Sequence, residues 1–289
     1  MKILVLGGTR YFGKHLVENL LEKGYDVTIA TRGITKDSYG SSVERINLER
    51  TDESDLKSKL GQKYFDVVYD NIAYCSNDVK YVLETLNCER YIMVSSSSVY
   101  PLTWDIKEEM FQPENKDLVW CSRGIYSYGE GKRQAEAAVV NQYDGRNYVL
   151  VRFPFVWGKN DYTGRLRFYV EHVQKEKPMF IDNLDCQMSV ISEEEAGDFL
   201  ASLAESQCIG VINACSDGTV SIKQVLEYVE EKTGKRAILN RSGEKAPFNE
   251  VEEYSLNTKK AKQAGYVFQN VREWLYDVLD AYIERKEQD

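Results

Sequence analysis

Hydrophobic positions follow two alternating spacings along the first part of the chain. Residues 3–6 form a short continuous apolar run of strand length. The next apolar positions recur at the three- and four-residue spacing of one helix face: Leu16, Val17, Leu20 and Leu21. Gly24 ends the helical pattern, and residues 26–30 form a second apolar run. A strand, a helix and a second strand in this order predict a βαβ unit.

The same alternation continues along the chain. Further runs of strand length are found at 43–47, 66–70, 90–94, 148–152 and 210–214. Segments of helical spacing lie at 76–86 and 125–140, and a short helix capped by Thr51 or Asp52 follows the third strand. Strands that alternate with helices are typical of a parallel sheet covered on both faces. The pattern therefore predicts an α/β fold with a Rossmann-type, doubly wound parallel sheet.

The regular alternation breaks down after Pro154 and Gly158. Beyond them the pattern predicts a helix over 166–174, apolar segments around Phe180 and Val190, a helix after Ser192, helices over 221–232 and 271–286, and a strand near Ala237. We expect residues 1–157 with 189–215 to form the dinucleotide-binding Rossmann domain. Residues 158–188 with 216–289 are expected to form a smaller C-terminal α/β lobe that binds the substrate.

Composition narrows the possible functions. The chain has 46 acidic and 37 basic residues and a net charge of -9, which disfavours the phosphate backbone of a nucleic acid as its main partner. No apolar run approaches membrane-spanning length, and the predicted first strand leaves no room for a signal peptide. We therefore expect a cytoplasmic protein with no membrane partner.

Cysteine and histidine usage favours neither disulfides nor metal binding. The six cysteines show no C-x-x-C spacing, so we expect reduced thiols that act mostly as small core residues. With His15 and His172 as the two histidines, a histidine-based metal site is not expected. The sequence therefore predicts no metal site.

A glycine-rich segment joins the first strand to the first helix: Gly7, Gly8, Thr9, Arg10, Tyr11, Phe12 and Gly13. Gly7 stands where a dinucleotide-binding turn needs a tight backbone turn, and Gly13 stands where the helix packs closely on the strand. The cofactor pyrophosphate would then lie over the helix N-terminus. Two glycines also occur in such turns for purely steric reasons. We expect Gly7 and residues 9–13 to contact the cofactor.

Further cofactor contacts are expected at the carboxyl ends of the next strands. Arg32 follows the second strand, where NAD-specific sites usually present a carboxylate to the ribose 2′-hydroxyl. A guanidinium suits the 2′-phosphate of NADP better, although a solvated surface arginine is the alternative. We expect Glu49 by the adenine edge, and Asn71 and Ala73 in the crevice after the fourth strand. NADP is thus the preferred cofactor, and NAD is the alternative.

Candidate chemistry is concentrated in Ser96, Tyr128 and Lys132. The spacing of Tyr128 and Lys132 at the start of a predicted helix puts both on one face. A free tyrosine titrates near about pH 10, and a neighbouring ammonium would stabilise its phenolate for proton exchange with an alcohol at neutral pH. Lys132 can also reach the ribose of a nicotinamide cofactor, and Ser96 can hydrogen-bond the substrate oxygen. Alternatively, Tyr128 packs on the core as a helix-face aromatic residue.

Several motifs together resemble one enzyme family. They are the glycine turn at 7–13, the serine-rich segment 94–100, Tyr128 and Lys132 with Glu136, and the segments 152–158 and 255–261. Over essentially its whole length the chain is similar to the extended short-chain dehydrogenase/reductases of the NAD-dependent epimerase/dehydratase group. The resemblance implies a Rossmann domain with a smaller lobe, Tyr128 as general acid/base, Lys132 as its partner and ribose ligand, and Ser96 as donor to the substrate oxygen. It also implies that Pro154 lies by the nicotinamide ring.

Some positions depart from the family pattern. Arg10 replaces the middle glycine of the turn, as in an atypical branch of the family. Ser97 and Ser98 stand where sugar-nucleotide dehydratases carry Asp and Glu, so dehydration is not expected. Phe155 stands where many sugar-nucleotide epimerases present an asparagine to the nucleotide phosphate, which weakens a UDP-sugar assignment.

The expected activity is that of an NADP(H)- or NAD(H)-dependent oxidoreductase, with hydride transfer at a carbinol or carbonyl carbon of a sugar or sugar-nucleotide-like substrate. Arg165 and Arg167 could hold an anionic substrate, or could be two exposed arginines of a helix. A nucleotide-sugar epimerase with tightly held NAD is the second hypothesis. A cofactor-binding sensor or RNA-associated protein is the third, because the glycine turn also resembles that of chloroplast stem-loop RNA-binding proteins. The family's habit would place a homodimer contact near Leu83 and Ala135.

Overall fold

A parallel β-sheet with helices on both faces forms the larger part of the chain in a computed structural model, which describes residues 1–285. The first elements are β1 (Lys2–Leu6), α1 (Phe12–Glu22), β2 (Asp26–Thr31), β3 (Val43–Asn47), α2 (Glu53–Leu60), β4 (Tyr64–Asp70), α3 (Ser76–Leu83), β5 (Asn87–Ser96), α4 (Tyr128–Gln142) and β6 (Asn147–Phe153). They are followed by β7 (Phe155–Trp157), α5 (Arg165–Gln174), β8 (Pro178–Phe180), β9 (Val190–Ser192), α6 (Glu193–Ser202), β10 (Gly210–Asn213), α7 (Ile222–Thr233), β11 (Ile238–Leu239), β12 (Glu244–Lys245), α8 (Lys259–Gln263) and α9 (Val271–Ile283). Short 3-10 turns lie at Ser97–Val99, Glu108–Met110 and Pro113–Asn115.

The central sheet has seven strands in the order β3-β2-β1-β4-β5-β6-β10, and all neighbours are parallel. The chain order reverses between β1 and β4, where Leu6 lies beside Ala30 on one side and Asp70 on the other. In open parallel sheets, ligands bind outside the carboxyl ends of the strands at such a reversal. The predicted Rossmann-type, doubly wound sheet is confirmed.

The central strands are buried on both faces, which explains their continuous apolar runs. Ile3 and Val5 of β1 pack in one cluster with α1 and α6, whereas Leu4 and Leu6 pack in a second cluster with α2, α3 and α4. All four side chains are fully buried, and each contributes roughly 1.5–3 kcal/mol to folding. This core fixes the strands whose carboxyl ends carry the candidate site.

A third cluster of buried side chains lies mainly in the C-terminal part of the chain. It joins α5, α7 and α9, and it includes Tyr169 and Tyr254. Strands β11, β8 and β12 form a small parallel sheet, and β7 pairs with β9. The same cluster includes Tyr100 and Trp157, which sequence analysis assigned to the other domain. The division into 1–157 with 189–215 and 158–188 with 216–289 therefore stays a prediction.

Most predicted elements are present, with changes at their ends. Asp52 rather than Thr51 caps α2, because its carboxylate accepts hydrogen bonds from the backbone N–H groups of Ser54 and Asp55 in the first turn. The helix predicted over 125–140 begins at Tyr128, after a Ser127 cap. The helices predicted over 76–86 and 271–286 end at 83 and 283, and Lys286 lies outside the described residues. Strands β7 and β12 and helix α8 are too short to give a periodic pattern, and sequence analysis missed them.

Leu83 and Ala135, near which a homodimer contact is expected, are both buried within this chain. They pack in the cluster between α3, α4 and the sheet, so a contact between copies would use other residues of these helices. The homodimer and the cytoplasmic location stay predictions. All six cysteines are free, as expected. None of the helices within residues 1–285 has the length and apolar character needed to cross a membrane.

Candidate active site

Two adjoining cavities open at the carboxyl ends of the central strands. The glycine-turn cavity, of about 430 Å³, is lined among others by Gly7, Thr9, Arg10, Arg32 and Glu49. The serine cavity, of about 650 Å³, is lined among others by Ser96, Tyr128, Lys132, Phe155 and Arg165. The two cavities share the lining residues Tyr11, Phe12, Asn71, Tyr74 and Tyr162. A ligand can therefore extend from one cavity into the other.

The glycine turn brings the backbone of β1 close to that of α1. Gly7 has a φ of 85°, and a Cβ atom on Gly13 would lie 2.3 Å from the carbonyl oxygen of Gly7. Tyr11, with a φ of 56°, precedes α1 but supplies no side-chain cap to its first N–H groups. The Tyr11 hydroxyl instead donates to the backbone oxygen of Val156. The first turn of α1 is therefore without a side-chain cap, which suits an anion such as a pyrophosphate.

Asn71 adds an unpaired acceptor to the wall that both cavities share. Its Nδ2 donates to the backbone oxygen of Gly7 at 3.3 Å, while its Oδ1 is buried and has no hydrogen-bond partner within residues 1–285. A buried acceptor without a partner costs about 1–3 kcal/mol, and a ligand hydroxyl would satisfy it. Together with the uncapped helix and the close approach at Gly13, this arrangement fits a nicotinamide dinucleotide.

Charges of both signs lie at the outer end of the glycine-turn cavity. Arg32 is exposed there, and Arg10 Nε donates to Thr35 Oγ1 at 2.7 Å. Glu49 accepts hydrogen bonds from Thr51, which lower the pKa of its carboxyl group, and the charge of Arg32 lowers that pKa further. A carboxylate is thus within electrostatic reach of Arg32, a proximity that sequence analysis did not take into account.

Beneath this cavity lies a buried ionic network that sequence analysis missed. Arg50 donates to the two carboxylate oxygens of Asp70 at 3.0 and 2.9 Å, and both side chains are buried. Asp78 accepts from Arg123 Nε at 2.9 Å and lies 3.8 Å from Arg50. These interactions hold the loop between β4 and α3, which carries Asn71. An acidic residue at the end of an apolar run, Asp70, is the signal that could have indicated the network.

Ser96, Tyr128 and Lys132 are brought together along the serine cavity. Ser96 ends β5, Tyr128 begins α4, and Lys132 lies one turn later. The Lys132 side chain is buried, and its Nζ donates to the carbonyl oxygens of Ala73 at 2.6 Å and Val94 at 2.7 Å. Burial lowers the pKa of Lys132 to about 8, against the opposing effect of nearby carboxylates. Ala73 thus contributes a carbonyl oxygen that holds Lys132.

The Tyr128 hydroxyl is not made more acidic overall. Burial raises its pKa, whereas the Ser96 hydroxyl and the Arg165 guanidinium lower it by smaller amounts. The residue as a whole is 53% exposed, but the pKa depends on the surroundings of the hydroxyl group. Lys132 Nζ lies 5.8 Å from the centre of the Tyr128 ring and is bound to backbone carbonyls. The role of Lys132 as the partner that stabilises the phenolate stays a prediction, and Arg165 is the cation that lowers the pKa of Tyr128 in this structure.

A second buried network anchors α4 to the sheet. The Glu136 carboxylate accepts from Arg152 Nε at 2.9 Å and from Ser95 Oγ at 2.5 Å. Arg152 also donates to the Tyr100 hydroxyl at 2.6 Å, and Glu136 and Arg152 are both fully buried. These bonds join α4, β5 and β6, the elements that carry the serine and the tyrosine of the site.

The wall of the serine cavity next to the C-terminal lobe is aromatic. Pro154 lies between β6 and β7, and Phe155 packs against Phe248 with ring centres 4.8 Å apart. Arg165 lines the cavity, with its Cζ 5.3 Å from the centre of the Phe155 ring. Arg167 is 47% exposed and pairs with a glutamate of the same helix at 2.9 Å. Of the two predicted arginines, Arg165 therefore lies in the site and Arg167 lies on the surface.

Most of the predicted site residues line one cavity or the other. Gly13 and Ala73 are the exceptions. Gly13 allows the close approach to Gly7 in the turn, and the carbonyl oxygen of Ala73 accepts a hydrogen bond from Lys132. Sequence analysis missed the lining residues Tyr74, Arg123, Tyr162 and Tyr254. Tyr162 borders both cavities, and Arg10 Cζ lies over its ring, 5.8 Å from the ring centre. Its segment is irregular, so no periodic pattern indicates where its side chain lies.

Away from these cavities, His15, Glu193 and Glu194 each place one potential ligand atom within 4.8 Å of the others. Burial raises the pKa of Glu193 to about 6, and a neighbouring glutamate contributes to the rise. The absence of a metal site, which the sequence predicts, stays a prediction.

Comparison with known proteins decides the family. The sequence model of the NAD dependent epimerase/dehydratase family matches residues 3–188, which is more than half of the chain. This chain belongs to the NAD dependent epimerase/dehydratase family. The members of this family are enzymes, so the predicted family and the predicted enzymatic nature are confirmed.

The individual proteins that this epimerase/dehydratase family member resembles have low sequence identity to it. The chloroplast stem-loop binding protein of 41 kDa b from Arabidopsis thaliana is 29% identical over 202 residues, which cover 65% of this chain and 50% of that protein. The match thus spans about half the length of that relative. A provisionally named UDP-glucose 4-epimerase of Methanocaldococcus jannaschii is 23% identical over 297 residues, covering 91% of this chain and 92% of that protein. The crystal structure of Thermus thermophilus UDP-glucose 4-epimerase in complex with NAD shares the fold, with a TM-score of 0.70, 17% identity and coverage of 99% and 100% of the two chains.

Proposed function

We propose that this protein is a nicotinamide-dependent oxidoreductase that acts at a carbinol or carbonyl carbon of a small substrate. The observation that carries the proposal is the position of Ser96, Tyr128 and Lys132 along a cavity that continues into the glycine-turn cavity. Membership of the epimerase/dehydratase family favours a sugar or sugar-nucleotide-like substrate. Ser97 and Ser98, which lie in the same wall, offer no carboxyl group for a dehydration.

The residues of the glycine turn would hold the cofactor. Gly7 and residues 9–13 would bind the pyrophosphate, Asn71 Oδ1 would accept a hydrogen bond from a cofactor hydroxyl, and Pro154 would border the nicotinamide ring. An ammonium has three N–H donors, and Lys132 uses two of them on backbone carbonyls, which leaves one for a ribose hydroxyl. When bound, such a cofactor would supply a hydride to the carbonyl carbon in reduction, or accept one from the carbinol carbon in oxidation.

Tyr128 and Ser96 would control the proton of the substrate oxygen. In the direction of reduction, the Tyr128 hydroxyl donates its proton to the oxygen as the carbonyl becomes an alcohol, and in oxidation the phenolate takes a proton from the alcohol. The raised pKa of Tyr128 keeps its hydroxyl protonated at neutral pH, which suits the acid role. Ser96 would hydrogen-bond the same oxygen and orient it.

We further propose that NADP(H) binds more tightly than NAD(H), because Arg32 lines the end of the glycine-turn cavity and can pair with a 2′-phosphate. Calorimetric titration with NADPH and NADH tests this. Arg32→Ala should weaken NADPH binding by about 10- to 100-fold, the effect of a lost charge-assisted hydrogen bond, and leave NADH binding unchanged. Lys36→Ala removes a positive charge from the same exposed segment outside the cavity and should change neither affinity. Tighter binding of NADH by the wild type would contradict the proposal.

Epimerisation of a sugar nucleotide is the second candidate, supported by the family and by the relative from Methanocaldococcus jannaschii. An epimerase retains its cofactor through both half-reactions, so it needs no added nicotinamide. Phe155 offers no hydrogen bond to a nucleotide phosphate, and we expect UDP-glucose and UDP-galactose to be poor substrates. Incubation with either sugar nucleotide and no added cofactor separates the two functions. Fast interconversion would favour the epimerase, whereas a stoichiometric change in nicotinamide absorbance with another substrate would support net oxidoreduction.

A cofactor-binding or RNA-associated protein is a candidate of a different class, supported by the name of the Arabidopsis relative. The net charge of -9 opposes binding to a phosphate backbone, and we propose no nucleic-acid partner. A gel-shift titration with a stem-loop RNA at physiological salt tests this. A specific complex that forms at protein concentrations comparable to the Kd for the cofactor would contradict it.

A further inference from the structure

We propose that the substrate carries an oxyanion, a carboxylate or a phosphate, and that Arg165 binds this group in the serine cavity. The proposal rests on the proposed function, because it takes the serine cavity as the place where the substrate reacts. It adds the chemical class of the substrate and the residue that selects it.

The serine cavity is positively charged in an acidic protein. Its lining includes two cations, Lys132 and Arg165, and no aspartate or glutamate among residues 1–285. The chain as a whole has a net charge of -9, so the cavity differs in sign from the molecule around it. A cleft with low-dielectric walls and one sign of charge concentrates ligands of the opposite sign. An anionic substrate therefore suits this cavity.

The two cations differ in what their donors already bind. Lys132 Nζ donates to two backbone carbonyl oxygens. Arg165 Nε donates to Thr163 Oγ1 at 3.0 Å, and the guanidinium has no carboxylate partner in the part of the chain that the structure describes. The two Nη groups of Arg165 therefore remain for a ligand. A guanidinium edge with two N–H groups matches the paired oxygens of a carboxylate or a phosphate.

The guanidinium of Arg165 is held in place by the protein itself. Thr163 Oγ1, which accepts from Arg165, donates to the buried Asp161 at 2.6 Å. Arg165 Cζ lies 5.3 Å from the ring centre of Phe155 and 5.7 Å from that of Phe248. Phe248 has a φ of 66°, a strained conformation for a bulky residue, and such strain persists where surrounding contacts impose it. A preorganised group loses less entropy when it binds a ligand.

The same walls limit the size of the substrate. The volume of about 650 Å³ is also bordered by Pro154, so cofactor and substrate would share it. Next to the lobe, the ring of Phe155 packs against the rings of Phe248 and Tyr254. The charge of Arg165 acts on the Tyr128 hydroxyl, so the anion site lies within electrostatic reach of the proton-transferring group. The substrate is therefore a compact molecule whose oxyanion is close to its reacting carbon.

Calorimetric titration of the cofactor-free protein with succinate and with inorganic phosphate tests the site without turnover. The wild type should bind at least one anion, and Arg165→Met should weaken that binding by about 10- to 100-fold. Arg165→Lys keeps the charge without the planar pair of donors and should recover part of the loss. Arg167→Met is the matched control, because Arg167 lies outside the cavity, and it should bind as the wild type does. If the anion instead bound at the N-terminus of α1, its affinity would be the same for the wild type and all three variants.

The proposal is overturned if the wild type binds neither anion, or if a folded Arg165→Met, checked by circular dichroism, binds as tightly as the wild type. If Arg165→Met does not fold, equal affinity of Arg165→Lys and the wild type overturns it. Turnover adds a second arm with NADPH and two matched pairs, succinic semialdehyde with its methyl ester and glyceraldehyde 3-phosphate with glyceraldehyde. A preference for one charged member that Arg165→Met loses assigns the carboxylate or the phosphate, and equal rates within both pairs overturn the proposal. Anion binding that depends on Arg165 without any NADPH oxidation would support the oxyanion site and count against the proposed oxidoreductase.

Discussion

Replacement of Glu136 by glutamine should destabilise the protein, because it removes the charge partner of a buried arginine. Glu136 and Arg152 are fully buried, and the Glu136 carboxylate also accepts a hydrogen bond from Ser95. Glutamine has nearly the same shape, but its NH₂ group would face a guanidinium N–H, and neither of these groups can accept a hydrogen bond. The buried positive charge of Arg152 would lose its counter-charge.

The expected loss in the free energy of unfolding follows from the contacts that Arg152 keeps in the variant. Removal of one partner from a buried ion pair costs about 3–5 kcal/mol. In the variant, Arg152 keeps three acceptors, the Tyr100 hydroxyl at 2.6 Å and the backbone oxygens of Glu108 at 2.9 Å and Phe111 at 3.0 Å. These acceptors partly stabilise the buried charge of Arg152. We therefore expect the free energy of unfolding to fall by about 3 kcal/mol, the lower end of that range. For a urea m-value of about 3 kcal/mol per M, the midpoint falls by about 1 M.

Urea denaturation followed by tryptophan fluorescence measures this change, since Trp157 is fully buried and reports on loss of the core. Glu171→Gln is the matched control, because Glu171 pairs with Arg167 at 2.9 Å and the two side chains are 40% and 47% exposed. An exposed pair contributes about 0–1 kcal/mol, so the midpoint of this control should hardly move. Equal shifts for the two substitutions would refute the reasoning on the buried pair.

Two further predictions concern the glycine turn and Lys132. Gly13→Ala should abolish binding of NADPH in calorimetry, because its Cβ atom would lie 2.3 Å from the backbone oxygen of Gly7, and an unchanged affinity would contradict this packing argument. Lys132→Met should change the pH dependence of stability: burial lowers the pKa of Lys132 from 10.5 to about 8, so between these values the unfolded chain binds a proton that the folded chain does not. The free energy of unfolding of the wild type should therefore rise relative to the variant with increasing pH in this window, by up to about 1.4 kcal/mol per pH unit, and parallel pH dependences would show that the pKa is not lowered.

The fold could be predicted because its strands are buried on both faces. Residues such as Ile3 and Leu4 contact different helices, yet both must be apolar, so each strand appears in the sequence as an unbroken apolar run. The four-residue spacing of Tyr128 and Lys132 likewise predicted that they share a helix face. Local pattern could not show which groups Lys132 binds, because its acceptors, the carbonyls of Ala73 and Val94, belong to other strands and loops.

The two arginines of α5 show what local sequence leaves open. Arg165 and Arg167 are two residues apart, so they point to different sides of the helix, but nothing nearby in the sequence indicates which side meets the site. The answer depends on Phe155 and Phe248, which are far from each other along the chain and pack together only in the folded protein. The Arg50–Asp70 pair was not predicted either, because these two residues are also far apart along the chain and meet only in the folded protein.

The central claim, that Tyr128 transfers the proton in a nicotinamide-dependent reaction, is tested most directly by Tyr128→Phe. The measurement compares kcat of the variant and the wild type by nicotinamide absorbance, with the carbonyl compound that the wild type reduces fastest, alongside the calorimetric Kd for NADPH. Loss of a general acid/base should reduce kcat by about 10²–10⁴-fold. The affinity for NADPH should stay nearly the same, because the substitution removes one oxygen from a residue that is 53% exposed. A variant with near-normal kcat, or a wild type that binds neither NADPH nor NADH, would contradict the claim.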